Sequence, residues 1–201
     1  MLSYVKEGVL SKFFDELKSA LMSLKHQIAV RRIDLLPEHP DNFLAILPYL
    51  KPGYLEEISI DDEAWGIWKS EENSRKVEQI MQLDQWKQAE ELVLLDSLHL
   101  FPEEVLSQFK KYWIGVSSPS ENKLAHIGLI FAGSPLFEHC HFEVWDPDFA
   151  DLIDSIGVPG PPAEDYRSVR HLMIPNTDKM LVFKELPCGI IEIEKETRNV
   201  Q

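Results

Sequence analysis

One spacing constrains this chain more than any other: an apolar residue, any two residues, an apolar residue, any one residue, and a third apolar residue. It occurs at Val30-x-x-Ile33-x-Leu35, Leu55-x-x-Ile58-x-Ile60, Ala89-x-x-Leu92-x-Leu94, Phe109-x-x-Tyr112-x-Ile114, Phe137-x-x-Cys140-x-Phe142 and Val169-x-x-Leu172-x-Ile174. The second and third apolar positions lie two apart, so on a strand they share one face while the residues around them point to the other. The repeats start on average about 28 residues apart, beside ~20–29 residues for leucine-rich repeats.

The segments between these runs carry helix signals. Ser11 to Gln27 places Phe14, Leu17, Leu21 and Leu24 at three- and four-residue steps, which predicts an amphipathic helix able to cap the first strand. Asp41 is the expected N-cap of a helix from Asn42 to Leu47, and Pro48 must end or kink it because it lacks an N–H and clashes with the preceding turn. Pro52-Gly53 then turns the chain into the Leu55 run. Ser74 to Lys87 reads as a helix with Val77, Ile80, Met81 and Trp86 inward, and a shorter one runs from Pro102 to about Gln108. Ser118-Pro119-Ser120-Glu121 forms a capping box ahead of Leu124, Ile127, Ile130 and Phe131, and Asp146-Pro147 opens a further helix toward Ile156. Met180 to Glu194 reads as a hairpin around Leu186-Pro187-Cys188-Gly189. Strands alternating with helices imply parallel pairing through right-handed crossovers. The expected fold is α/β, an irregular leucine-rich-repeat-like solenoid with an N-terminal capping helix and a C-terminal β-hairpin. It divides as a short extension over 1–10, a repeat domain over 11–194 and a frayed tail over 195–201.

Charge narrows the partner. A net charge of −14 repels both a nucleic-acid backbone and anionic lipid, because binding to either rests on Lys and Arg. A protein partner with a basic surface is permitted. Two cysteines, Cys140 and Cys188, are too few for a disulfide scaffold, and the most apolar run, Ile127 to Ala132, is far short of a membrane span. The chain is expected to be intracellular, with cytoplasm and nucleus both open.

Five stretches, taken in order, resemble one known family. They are Phe14-Asp15-Glu16-Leu17-Lys18, the run ILPYLKPGYLEEISI from Ile46 to Ile60, Leu83 to Ala89 (LDQWKQA), Ser134 to Cys140 (SPLFEHC) and Ile174-Pro175-Asn176. In these the chain resembles the FTH domain, the C-terminal module of nematode F-box A proteins, from about Lys12 to Glu194. The resemblance implies a protein-interaction role, as the substrate-recognition half of a ubiquitin-ligase adaptor. It also marks a departure: only about ten residues precede the first helix, whereas an F-box needs about fifty, the scale of a minimal domain. The F-box itself is therefore expected to be absent from this sequence.

The outward strand face is the candidate site. It reads Arg32, Asp34; Glu57, Ser59; Glu91, Val93; Lys111, Trp113; His139, His141; His171, Met173. Trp113 and Val93, with Leu95, form its apolar centre, and Glu91, Lys111, His141 and Met173 form its surround. A Trp rimmed by charge suits a binding anchor. The competing reading covers Trp113 with the 62–73 insertion, whose Trp65 and Trp68 also need a packing surface.

Two further readings come from other classes. A self-associating structural domain would pair this face with a second copy. A metal-dependent enzyme would use His139, His141 and His171. On the strand His139 and His141 share a face, and two ligands fall short of the three or four that zinc takes. Neighbouring carboxylates such as Glu56-Glu57, Glu90-Glu91 and Glu103-Glu104 read as solvated surface, and there is no nucleophile elbow or phosphate loop. No catalysis, cofactor or metal is expected.

Overall fold

Leu55, Ile58 and Ile60 end up almost completely buried, and that burial explains why their run is a strand rather than a loop. Each such side chain removed from water contributes about 1.5–3 kcal/mol. In the computed structural model, which describes residues 9–35, 39–61, 71–96, 103–117, 121–145, 153–154 and 156–198, the chain is mixed α/β and divides into two compact units, Met1–Glu90 and Glu91–Gln201. Among the described residues, no helix is long and apolar enough to cross a membrane.

The first unit holds helix α1 (Val9–Ser23), strand β1 (Arg32–Leu35), helix α2 (Asp41–Ile46), strand β2 (Glu57–Asp61), helix α3 (Glu71–Gln82) and the short helix α4 (Asp84–Lys87). β1 and β2 pair in parallel, with Ile33 opposite Ile58 and Leu35 opposite Ile60, so two successive repeats stand in register. Pro48 ends α2 as expected, passing the chain into a 3-10 turn over Leu47–Tyr49. Asp41 is not the N-cap: Pro40 holds that position without a side-chain cap, and Asp41 bonds Lys76 Nζ at 2.6 Å. The Ser74–Lys87 helix is broken at Leu83, whose extended backbone (ψ 139°) separates α3 from α4. Its expected inward residues Val77, Ile80, Met81 and Trp86 are all buried. Gln85, also buried, donates to the carbonyl of Leu50 at 2.7 Å.

The second unit holds β3 (Glu91–Leu95), a 3-10 turn (Glu103–Ser107), β4 (Lys111–Val116), α5 (Glu121–Gly133), β5 (His139–Val144), β6 (Val158–Pro159), β7 (Ser168–Met173), β8 (Lys179–Glu185) and β9 (Ile190–Thr197). Its strands follow the order β3-β4-β5-β9-β8-β7-β6. β3, β4 and β5 are parallel, and their buried positions match across the sheet: Leu92, Tyr112 and Cys140 in one row, Leu94, Ile114 and Phe142 in the next. Behind them α5 buries Leu124, Ile127 and Phe131. Phe131 stacks on Phe137 with centroids 4.1 Å apart and planes 7° apart, and lies 4.9 Å from the Tyr112 ring. The Tyr112 hydroxyl accepts from the Phe109 N–H at 3.1 Å and donates to the Val105 carbonyl at 3.3 Å. The capping box at Ser118–Ser120 and the start of the Asp146–Ile156 helix lie outside the described residues.

The repeat does not continue as a solenoid through this unit. β5 takes β9 as its next neighbour, antiparallel, and β9, β8, β7 and β6 then run as an antiparallel meander. The reason is local. The expected hairpin forms, with Gly189 N–H bonded to the Leu186 carbonyl and Gly189 at φ 85°, a conformation glycine adopts without steric cost. So tight a turn returns β9 alongside β8 and leaves no crossover for a further parallel rung. Accordingly the sixth repeat, Val169-Leu172-Ile174, falls on β7 and the residue just past it, with β9 and β8 between it and β5. The tail expected to fray from Lys195 is paired instead: β9 runs to Thr197, and the Arg198 N–H bonds the Asp178 carbonyl at 2.7 Å.

The two cysteines are chemically unlike. Cys140 is fully buried, and burial pushes its thiol well above the ordinary range, whereas Cys188 is exposed in the hairpin turn. Since the thiolate is the nucleophile, Cys188 should react rapidly with a disulfide reagent at pH 8, and Cys140 only after denaturation. Equal labelling rates in the native protein would contradict this arrangement.

Candidate functional site

The outward face of β3, β4, β5 and β9 carries the side chains that the core rows exclude. Its middle row runs Val93, Trp113, His141, Glu192, and continues to Lys184 on β8. One row along lie Glu91, Lys111, His139 and Glu194; on the other side lie Leu95, Gly115, Glu143 and Ile190. Parallel register makes this face regular over β3–β5, and the antiparallel hairpin supplies its acidic border.

Trp113 is 38% exposed. Its indole N–H donates to Glu143 Oε2 at 3.3 Å, and its ring lies 5.3 Å from that of His141. A second indole joins it. Trp145, just past β5, is 44% exposed and sits over Gly115, where an added Cβ would come within 2.5 Å of the Trp145 ring and 3.1 Å of Leu95 Cδ2. Gly115 thus leaves the space in which Trp145 and Leu95 meet. The expected insertion residues Trp65 and Trp68 lie outside the described residues.

The structure brings Val93, Leu95, Trp113, Lys111, Glu91 and His141 onto neighbouring strands. Met173 is also outward and 42% exposed, but it stands on β7, with β8 and β9 between it and β5. His171 is separated in the same way: along its row come Val182, Glu194 and then His139. Three strand spacings put it about 14 Å from His139, so His139, His141 and His171 do not form one site. Glu192 takes that place. Its Oε1 lies 4.0 Å from His141 Nδ1, and its Oε2 accepts the Tyr166 hydroxyl at 3.2 Å. The His139 and His141 rings meet edge to face with centroids 4.4 Å apart.

The charges on this face are largely matched. Lys184 bonds Glu194 and lies 3.7 Å from Glu196. Burial draws the Lys184 ammonium down, but the hydrogen bond to Glu194 and the nearby carboxylates outweigh it, and its pKa is raised. The Tyr166 hydroxyl is held protonated to higher pH by its bond to Glu192. His139 is pushed the other way, lowered first by burial and then by His141 and Lys111, against the pull of Glu194 and Glu192.

Nothing local in the sequence announced Trp145 or Glu192. Trp145 follows the end of a strand, outside the repeated spacing, and Glu192 is one of four alternating glutamates and apolar residues in a hairpin. The pairing of β9 with β5 is what sets Glu192 beside His141.

Among the described residues, clefts also lie away from this face. One of about 380 Å³ lies against α1 and α2, lined by Phe14, Asp15, Lys18 and Asn42 among others. One of about 260 Å³ lies along the Pro159–Arg170 segment.

The chain is mixed α/β, and its parallel strands β3–β5 carry an outward face with partly exposed aromatic side chains. Residues 11–154 match the family model of the FTH domain, and the chain belongs to that family. The match takes in Trp113, Trp145, His139 and His141, and stops short of β9. No curated protein and no solved structure shows significant similarity to the chain.

Proposed function

We propose that this chain is a non-catalytic protein-interaction module, resembling the substrate-recognition half of an F-box ubiquitin-ligase adaptor, and that it binds its partner through the outward face of β3–β5. The observation that carries this reading is the pair of exposed indoles, Trp113 and Trp145, set with Val93 and Leu95 on consecutive parallel strands. Exposed Trp residues bordered by charge are typical anchors, because they bury a large apolar area while the rim excludes water. The net charge of −14 favours a partner with a basic surface, drawn in most strongly at low salt. The protein works inside the cell, where Cys140 and Cys188 remain thiols.

The test is affinity purification with the wild-type domain as bait beside a Trp113→Ala bait. Prey recovered by the first and lost by the second, with ligase components among them, is the expected result. Prey retained equally by both baits would overturn the site. The self-association reading makes a different demand: mass in solution should rise with concentration, whereas a monomeric binder keeps one mass.

A further inference from the structure

We infer that His139, His141 and Glu192 form a binding site for one divalent transition-metal ion on the outward face, beside Trp113. The ligand atoms of these three residues already lie within 4.8 Å of one another. Around zinc, with bonds of about 2.0–2.2 Å, neighbouring donors stand about 3.3–3.5 Å apart, so small side-chain rotations suffice to close the set. The backbone supplies the rest. His139 and His141 are two apart on β5 and therefore share a face, and Glu192 is the direct antiparallel partner of His141. All three sit on paired strands in the interior of the sheet order, which keeps their Cα positions fixed.

Three features favour a metal over a simple ion pair. The two imidazoles sit edge to face with centroids 4.4 Å apart, so their ring edges, which carry the nitrogen lone pairs, converge on the same patch of the outward face. The ligand carboxylate is itself oriented: Tyr166 donates to Glu192 Oε2, leaving Oε1 toward His141. Outer partners of this kind fix ligand geometry in metal sites. Carboxylates outnumber cations around the set: Glu143 and Glu194 adjoin it, Lys111 stands opposite His139, and Lys184 is engaged by Glu194 and Glu196. Two imidazoles and a carboxylate suit zinc, cobalt or nickel and are poor ligands for calcium or magnesium, which prefer all-oxygen sites. Three ligands on an exposed face leave at least one coordination position open outward, next to the Trp113 indole.

This site is independent of the protein-binding reading and is tested without any partner. Equilibrium dialysis of the metal-free chain, residues 1–201, against Zn²⁺ alone should give one bound equivalent. His141→Asn should weaken binding by about a hundredfold, and Glu192→Gln or Tyr166→Phe by about tenfold. His171→Asn should leave it unchanged. On the wild-type protein, histidine NMR should show the ring signals of His139 and His141 shifting with Zn²⁺ while that of His171 stays in place, a measurement that needs no variant to fold. No bound equivalent at millimolar Zn²⁺, or ring shifts spread evenly over the histidines, would overturn the assignment.

Discussion

Phe131→Ala is expected to destabilise the second unit by about 3–5 kcal/mol, the range for removing a buried aromatic ring. Phe131 has no exposed surface. It sits in the last turn of α5, stacked on Phe137 and against Tyr112, so it ties the helix to β4 and to the loop entering β5. Truncation deletes the ring and leaves a cavity bounded by other rigid rings, which cannot close over it. Tyr112 is further fixed by its bonds to Phe109 and Val105, so collapse into the space would break a buried hydrogen bond. Phe131→Leu keeps most of the volume and should cost far less, about 1–1.5 kcal/mol. Urea unfolding followed by far-UV circular dichroism and by Trp emission measures both. A loss below about 1 kcal/mol for the Ala variant would mean that α5 is not packed in this way.

Trp113→Ala should have the opposite profile. Loss of an interface anchor costs about 2 kcal/mol or more in binding, which is a rise in Kd of about 30-fold, while the fold should be little affected. Trp113 is outward and 38% exposed, with its ring beside that of His141 and its indole N–H on Glu143. Its site on the outward face keeps it out of the buried rows, so the stability change should stay below about 1 kcal/mol. Titration of wild type and variant against a partner captured by the wild-type domain, with urea unfolding of both, separates the two effects. Unchanged affinity would remove Trp113 from the binding surface, and a large stability loss would make it a packing residue. The indole N–H contact argues for keeping Trp113→Phe beside it, since Phe retains the ring face and loses only the bond to Glu143.

The two substitutions differ because the repeated spacing divides each strand into two faces. That division was legible in the residues. The rows Leu92–Leu94, Tyr112–Ile114 and Cys140–Phe142 are buried as their spacing requires, and Val93, Trp113, His139 and His141 lie between them on the other side. Period-two alternation is a local property, so it survives whatever the strands pair with. The same holds for Pro48, which ends α2 by its missing N–H, and for the turn at Leu186–Gly189. Helix starts were less legible. Asp41 looks like a cap, yet its carboxylate forms an ion pair with Lys76, a residue 35 positions away.

What the sequence determined by itself was therefore which segments are strands, which side of each is apolar, where the tightest turn falls and, through five ordered stretches, the family. What only the tertiary structure decided was pairing. An apolar repeat says that a strand must be covered, not which neighbour lies beside it, and Val169-Leu172-Ile174 fits the repeat while standing three strands from β5. The antiparallel return of β9 replaced the expected next rung, set Glu192 opposite His141, and kept His171 away from the pair that the alternative metal reading joined it to. Contacts between residues some fifty positions apart arise from chain direction at a hairpin, and no window of sequence around either residue contains that information.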